Sequence, residues 1–319
     1  MGPLISVIII NWNTRDLVAE CLTSVAEEAE RMAVRAAHAA TTAAQLVETI
    51  VVDNASHDGS VARLRQSFPW VHLLENGENV GFAAANNQAL AHCHGQYVLL
   101  LNSDTKVLPG AFWELVTFLE AHPQAGAAGA RYFNPDGSLQ PSCYPAPTVG
   151  RELWRLFHLD KVYPHGTYPV HRWSAAEPRP VDIVQGAALM VRRNIVQELG
   201  LFDTDYFMYT EEVDLCRRIQ QAGWQIWWVP QSTIIHYGGQ STRQVARAMF
   251  LQLYRSKILY FRKHHGRIAT VAYKGVLLSA TVARLLLTPF IWMQSGERRR
   301  QSLTLANHYR CLAMSLPGM

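Results

Sequence analysis

Two apolar runs that end in acids constrain this chain most: Val51-Val52 leads into Asp53-Asn54-Ala55-Ser56, and Leu99-Leu100-Leu101 into Asn102-Ser103-Asp104. Runs this short and this apolar predict strands buried on both faces, as in a parallel sheet covered by helices. Function in such a sheet sits on the loops at one edge, so the two acids are expected to emerge together. A third run, Tyr209-Thr210-Glu211-Glu212-Val213-Asp214, adds carboxylates where a catalytic base could stand. Acids in this arrangement suit a metal-bound diphosphate and the deprotonation of a hydroxyl.

The rest of the N-terminal two thirds alternates strand and helix signals. Leu4 to Ile10 reads as a buried first strand, cut short by Asn11-Trp12-Asn13, and it lacks the basic leader and cleavage site of a secretion signal. Thr14 can cap a helix that starts at Arg15 and runs on into an Ala-rich stretch, 26 to 44. A second strand is expected over 48–52, a helix over 61–68, a short strand over 71–74, a helix opening near Asn79-Val80-Gly81-Phe82, and a strand over 96–101. This alternation predicts an α/β fold with a mostly parallel central sheet flanked by helices. The proline-rich stretch 141–180 reads as an irregular loop that could cover an acceptor site.

Charge separates the two ends of the chain. Residues 241–319 hold 13 Lys or Arg against the single acid Glu297, whereas residues 1–240 hold 16 against 24 acids. The expected organisation is a domain over 1–240 and a basic, amphipathic helical extension over 241–319. Ile268 to Met293 is mostly apolar but is interrupted by Lys274, Arg284 and Pro289, so neither piece is expected to span a bilayer. Lying on an anionic membrane surface fits better, with Arg298-Arg299-Arg300 against headgroups; packing on the main domain is the alternative. Basic residues interspersed with long aliphatic runs do not suggest a nucleic-acid partner. Five scattered cysteines without CxxC spacing suggest buried thiols in a reducing, cytoplasmic compartment.

Each candidate also has a structural explanation. Asp53 could cap a helix, but Ser56 and Asp58 already offer caps there. Asn102-Ser103-Asp104 could be an ordinary turn. Glu211, Glu212 and Asp214 could solvate a helix start, where the dipole favours negative charge. His236, after Trp227-Trp228-Val229-Pro230 and Ile234-Ile235, is a ligand only if it converges with Asp104.

The order of these motifs resembles the family 2 glycosyltransferases of GT-A fold. The match runs from Ser6 to Asn13 through Val52 to Ser56, Asn79 to Phe82, Leu101 to Asp104, Val184 to Met190, Phe202-Asp203, Glu211 to Arg218, Gly223 and Val229-Pro230, to His236. It looks most similar to the bacterial rhamnosyltransferase-like branch that builds cell-surface polysaccharide. The resemblance implies that Asn11, Asp53, Asn54, Asn79, Gly81, Asn102 and Gly186 line the nucleotide-sugar site, with Gly186 allowing close backbone approach. It further implies that Asp104, with His236, holds Mg²⁺ or Mn²⁺ on the diphosphate, and that Glu212 is the general base of an inverting transfer. Glu211 or Asp214 would be the next candidate for the base.

The implied donor is a nucleotide sugar, dTDP-rhamnose favoured and a UDP-sugar also open. The implied acceptor is a saccharide, carried on a polyprenyl diphosphate at the inner face of the cytoplasmic membrane. Two features depart from the family: the Gln-x-x-Arg-Trp motif of processive synthases is missing after Gly223, which favours single-residue addition, and the Ala-rich stretch has no assigned role. A nicotinamide dehydrogenase would need Gly-x-Gly-x-x-Gly where Asn11-Trp12-Asn13-Thr14 stands. A nucleotidyltransferase would need a glycine-rich basic loop near the N-terminus. A scaffold that kept the fold but lost turnover remains the non-enzymatic alternative.

Overall fold

The computed structural model describes residues 2–36, 42–288 and 296–319. Its strands are β1 (Ile5–Asn11), β2 (Val47–Asp53), β3 (His72–Glu75), β4 (Tyr97–Asn102), β5 (Thr105–Val107), β6 (Ala125–Phe133), β7 (Leu139–Gln140), β8 (Cys143–Tyr144), β9 (Arg179–Pro180), β10 (Ile183–Val184), β11 (Ala188–Arg192) and β12 (Gln225–His236). Its helices are α1 (Arg15–Arg35), α2 (Ala43–Leu46), α3 (Ser60–Ser67), α4 (Phe82–Leu90), α5 (Ala111–Ala121), α6 (Val149–Leu156), α7 (Arg193–Leu199), α8 (Glu211–Gln221), α9 (Gln240–Arg243), α10 (Ala246–His264), α11 (Gly266–Leu286) and α12 (Gly296–Ser315). Two compact units result, one from Met1–Ala146, Pro169–Phe207 and Glu211–Gln244, the other from Pro147–Tyr168, Met208–Thr210 and Val245–Met319.

The first unit is built on a sheet of order β3-β2-β1-β4-β11-β6-β12-β5. Strands β3, β2, β1 and β4 are parallel, as the alternation predicts. The sheet is mixed beyond them, because β11 pairs antiparallel with both β4 and β6. Two antiparallel steps restore direction, so β6, and β12 parallel to it, run the same way as β1. The carboxyl ends of β1, β2, β4, β6 and β12 therefore share one edge, where an open α/β sheet places ligands. All seven residues of β1 are buried, and each apolar side chain so removed from water contributes about 1.5–3 kcal/mol.

Strand β6 carries little sign of itself in the sequence, since Ala125-Gly126-Ala127-Ala128-Gly129-Ala130 lacks the β-branched and aromatic residues that favour strands. Its small side chains are a packing requirement. A Cβ on Gly129 would lie 1.8 Å from Val184 Cγ1, and one on Gly126 would lie 2.7 Å from Trp224 Cβ. Strand β12 contains Pro230, which a regular ladder rejects; its register with β6 shifts between Val229 and Thr233 to absorb it.

Helix α1 gives part of the Ala-rich stretch a purpose. It continues to Arg35, burying Ala29 and Met32 in the core. Glu28, also buried, accepts the backbone N–H groups of Gly110 (2.8 Å) and Phe112 (3.2 Å), so its carboxylate closes the N-terminus of α5. Residues 37–41 of that stretch lie outside the described residues. Thr14 does not cap α1: its hydroxyl turns to Asn11 instead, and Asp58 Oδ2 accepts the Arg15 N–H at 2.8 Å.

The second unit is helical. The stretch expected to be irregular contributes α6, whose Glu152 is buried and held by Arg155 (2.6 Å) and Lys257 (2.9 Å). Helix α11, with 21 residues, is long and apolar enough by length and composition to cross a membrane. Lys274 and Arg284, expected to interrupt the apolar stretch, sit within this one continuous helix. Pro289 and Met293 lie outside the described residues.

Candidate active site

The polar ends of the sheet strands meet in one hydrogen-bonded network. Register places Asn11 opposite Asp53 and Ile10 opposite Asn102. Asn11 Nδ2 donates to Asp53 Oδ1 at 2.7 Å, and the Ser56 N–H donates to Asp53 Oδ2 at 2.9 Å. Thr14 Oγ1 donates to Asn11 Oδ1 at 2.7 Å and lies 2.9 Å from Ser103 Oγ, tying the β1 edge to the β4 turn. Both Asn11 and Asp53 are buried. Asp53 is thus oriented by two donors, and each of its oxygens keeps a further lone pair for a ligand.

Asn54 and Asn79 organise the loop before α4. Asn54 Oδ1 accepts from the Val80 N–H (3.1 Å) and Asn76 Nδ2 (3.0 Å), while its Nδ2 donates to Asn79 Oδ1 (2.9 Å). Asn79 Oδ1 also accepts the Gly81 N–H at 3.0 Å. Gly81 needs to be glycine on two counts: its φ is +89°, and a Cβ there would lie 2.6 Å from the Phe207 carbonyl oxygen.

Asp104 and His236 converge, although 132 positions of sequence separate them. Antiparallel pairing of β12 with β5 puts His236 opposite Thr105, and His236 Nε2 lies 3.4 Å from Asp104 Oδ1. The histidine tautomer follows from its other nitrogen. Gln140 Nε2 donates to Asn134 Oδ1 (2.8 Å) and to the His236 carbonyl (3.2 Å), which leaves Gln140 Oε1 to accept from His236 Nδ1 at 2.7 Å. The His236 Nδ1–H therefore points to Gln140, and Nε2 is the ring atom that faces Asp104. That nitrogen makes no hydrogen bond among the described residues. The carboxylate and the ring nitrogen face each other with Gln140 orienting the imidazole, an arrangement whose chemistry suits a divalent cation.

No group of three or more His, Cys, Asp or Glu side chains converges on a metal position among the described residues. Two protein ligands suffice for a cation that takes its remaining oxygens from phosphates and water. Asn102 lies just before this pair at the end of β4; its N–H donates to the Ala187 carbonyl at 3.1 Å, and its carbonyl accepts from Thr105 Oγ1 at 2.7 Å.

The three acids at the start of α8 separate by role. Asp214 is buried and paired with Arg218 at 2.7 Å, and Arg218 in turn donates to the carbonyls of Leu199, Gly200 and Leu201. That makes Asp214 an anchor for the chain entering the helix. Glu211 is 5% exposed and its Oε2 has no hydrogen-bond partner among the described residues. Burial, reinforced by the neighbouring Glu212 carboxylate, pushes its carboxyl well above the usual range. Glu212 is the half-buried member of the three, and a Cβ built on Gly186 would lie 3.5 Å from Glu212 Cβ. Tyr209 and Thr210, just before α8, hold left-handed backbone angles (φ 67° and 74°), as does Ala55 (φ 63°). Such angles cost about 1–3 kcal/mol each and concentrate at functional sites.

Comparison with known proteins decides what this geometry belongs to. Residues 6–166 match glycosyl transferase family 2, and residues 97–317 match glycosyl transferase family group 2. The chain belongs to glycosyl transferase family 2. This family 2 transferase is 28% identical over 276 residues, 82% of its own length and 90% of the relative's, to the N-acetylglucosaminyl-diphospho-decaprenol L-rhamnosyltransferase of Mycobacterium tuberculosis. Over 28% of its length it is 33% identical to the rhamnosyltransferase WbbL of Escherichia coli. Its fold is GT-A. It matches the mannosyltransferase PcManGT of Pyrobaculum calidifontis, solved with GDP-Man and Mn²⁺, with TM-score 0.58 and 19% identity over 99% of this chain and 87% of that one. It also matches GalNAc-T7, solved with UDP, GalNAc and Mn²⁺, with TM-score 0.55 and 16% identity over 80% and 47% of the two chains.

Gln140 and Arg218 were not visible as site residues. Arg218 had a local signal, its i,i+4 spacing from Asp214; Gln140, 96 positions from His236, had none. The raised Glu211 pKa has a consequence for stability. An acid raised in the folded state supports the fold below its unfolded pKa and loses that support as pH rises toward the folded value. Glu211→Gln is therefore expected to gain stability over the wild type between about pH 5 and about pH 8, by about 1.4 kcal/mol per unit of elevation crossed. Urea unfolding at both pH values measures it, and parallel pH dependence in the two proteins would contradict it.

Proposed function

We propose that this family 2 transferase moves one sugar, L-rhamnose, from a nucleoside-diphosphate donor to a lipid-linked saccharide with inversion at the anomeric carbon. The observation that carries the reading is the Asp104–His236 pair at the shared strand edge, with Nδ1 turned to Gln140 and Nε2 facing the carboxylate. Asp104 and His236 would hold Mg²⁺ or Mn²⁺ against the donor diphosphate, and such a cation offsets the charge developing on a departing nucleoside diphosphate. Asp53, held by Asn11 and Ser56, would accept the imide N–H of a thymine or uracil ring. The relative's name favours rhamnose and a polyprenyl-diphosphate acceptor; dTDP-rhamnose is the favoured donor and a UDP-sugar the alternative.

Glu212 is the base. It would take the acceptor hydroxyl proton during in-line attack, beside Gly186, where the lack of a side chain leaves room for the acceptor. Glu211 suits that task less, because burial and the neighbouring Glu212 carboxylate push its carboxyl well above the usual range. Glu212→Gln is expected to lower transfer to an N-acetylglucosaminyl-diphospho-polyprenol acceptor by about 100- to 10,000-fold while leaving nucleotide affinity unchanged. Full turnover in that variant would move the base elsewhere.

Helix α11 supports peripheral attachment at the inner face of the cytoplasmic membrane. Ile268, Val271, Leu278, Val282 and Leu286 recur at helical spacing and are exposed, Ile268 at 89% and Leu286 at 72%. The opposite face buries Tyr273 and Leu277, and its charges turn inward, Lys274 to the main-chain oxygen of Met319 and Arg284 to that of Leu156. A helix apolar on one side and packed on the other lies in the interface more readily than it crosses it. The wild type should sediment with anionic phospholipid vesicles, and Leu278→Asp with Val282→Asp should stay in the supernatant. Equal sedimentation of both proteins, or of neither, would remove the membrane reading.

A further inference from the structure

The two halves of the site, the cation pair and the base with its loop, share one buried side chain. Tyr132 on β6 is 0% exposed. Its hydroxyl donates to the Gln185 carbonyl at 2.7 Å and accepts the Ala188 N–H at 2.7 Å. One phenol oxygen thus closes the Gln185-Gly186-Ala187-Ala188 segment into a fixed bend. Gly186, inside that bend, faces Glu212. Ala187, also inside it, accepts the Asn102 N–H at 3.1 Å and so joins the bend to the turn that carries Asp104.

The ring of the same tyrosine serves the other half. It packs edge-on against the His236 imidazole, with centroids 5.7 Å apart and planes at 66°. Its strand neighbour in the β6–β7 pair is Gln140, the residue that orients His236 Nδ1. Burial holds the phenol far above its usual pKa, so it stays a neutral donor and acceptor throughout the working pH range.

We propose that Tyr132 is a positioning residue for both partners of the reaction, its hydroxyl setting the Gly186 bend against the base and its ring setting the imidazole that faces Asp104. The proposal rests on the transferase reading above. It assigns the two functions to different atoms of one side chain, which makes them separable.

Tyr132→Phe removes the hydroxyl and keeps the ring. It leaves the Gln185 carbonyl and the Ala188 N–H without their partner, so the bend is free to shift. Tyr132→Leu removes both contacts. The measurements are nucleotide affinity with Mn²⁺, and kcat and KM for transfer from dTDP-rhamnose to an N-acetylglucosaminyl-diphospho-polyprenol acceptor, each per folded molecule by circular dichroism. The Phe variant should keep Mn²⁺-dependent nucleotide affinity within about twofold while kcat falls at least about tenfold, a loss of about 1.4 kcal/mol in the transition state. The Leu variant should lose at least about tenfold in both.

A merely structural tyrosine would lower the melting temperature of both variants and leave kcat per folded molecule unchanged; that result overturns the proposal. So does a Phe variant that loses nucleotide affinity as far as the Leu variant does. Should the Leu variant not fold, the split between kcat and affinity in the Phe variant decides alone. A wild type that binds no nucleotide with Mn²⁺ is a different failure, of the transferase reading itself, and the proposal falls with it.

Discussion

The site depends on the pairing of β12 with β5. That short antiparallel ladder sets His236 opposite Thr105 and therefore beside Asp104. A slip of one residue would turn the imidazole to the other face of the sheet, because side chains alternate along a strand. The bulge around Pro230 makes the register possible, since β12 must follow β6 on one side and still arrive at β5 on the other. Backbone locks hold the arrangement: the Tyr237 N–H donates to the Asp104 carbonyl at 2.9 Å, and the Asn102 N–H to Ala187 at 3.1 Å.

The treatment of buried charge is consistent with this division of labour. Glu28 closes a helix end, Asp214 anchors Arg218, and Glu152 is neutralised by Arg155 and Lys257. Each is held by donors, as burial requires. Glu211 is different: its Oε2 has no hydrogen-bond partner among the described residues, and burial with the neighbouring Glu212 carboxylate raises its carboxyl. Next to it, Glu212 is half-buried as a residue, and its Oε2 is enclosed as well.

Much of this was legible in the sequence because the decisive signals were local. The apolar runs ending at Asp53 and Asn102 are strands within one or two residues of their expected bounds, and the helix after Asp58 begins at Ser60. Strand β6 was not legible, because its alanines and glycines answer to Val184 and Trp224 rather than to strand propensity. The antiparallel insertion of β11 was equally invisible, since alternation of elements says nothing about where a later strand returns. Thr14 misled for a related reason: a hydroxyl before a helix usually caps it, but here Asn11 and Ser103 compete for it more effectively. Gln140 and Tyr132 could be found only from contacts across dozens of residues.

The central claim is that Asp104 and His236 hold a divalent cation for the diphosphate of a sugar nucleotide. Isothermal titration of the purified protein with dTDP, UDP and GDP, in Mn²⁺ and in EDTA, tests it most directly. The account predicts tight binding of dTDP or UDP in Mn²⁺, with loss of that binding in EDTA and in Asp104→Ala. Equal affinity with and without the cation, or undiminished binding by Asp104→Ala, would contradict it.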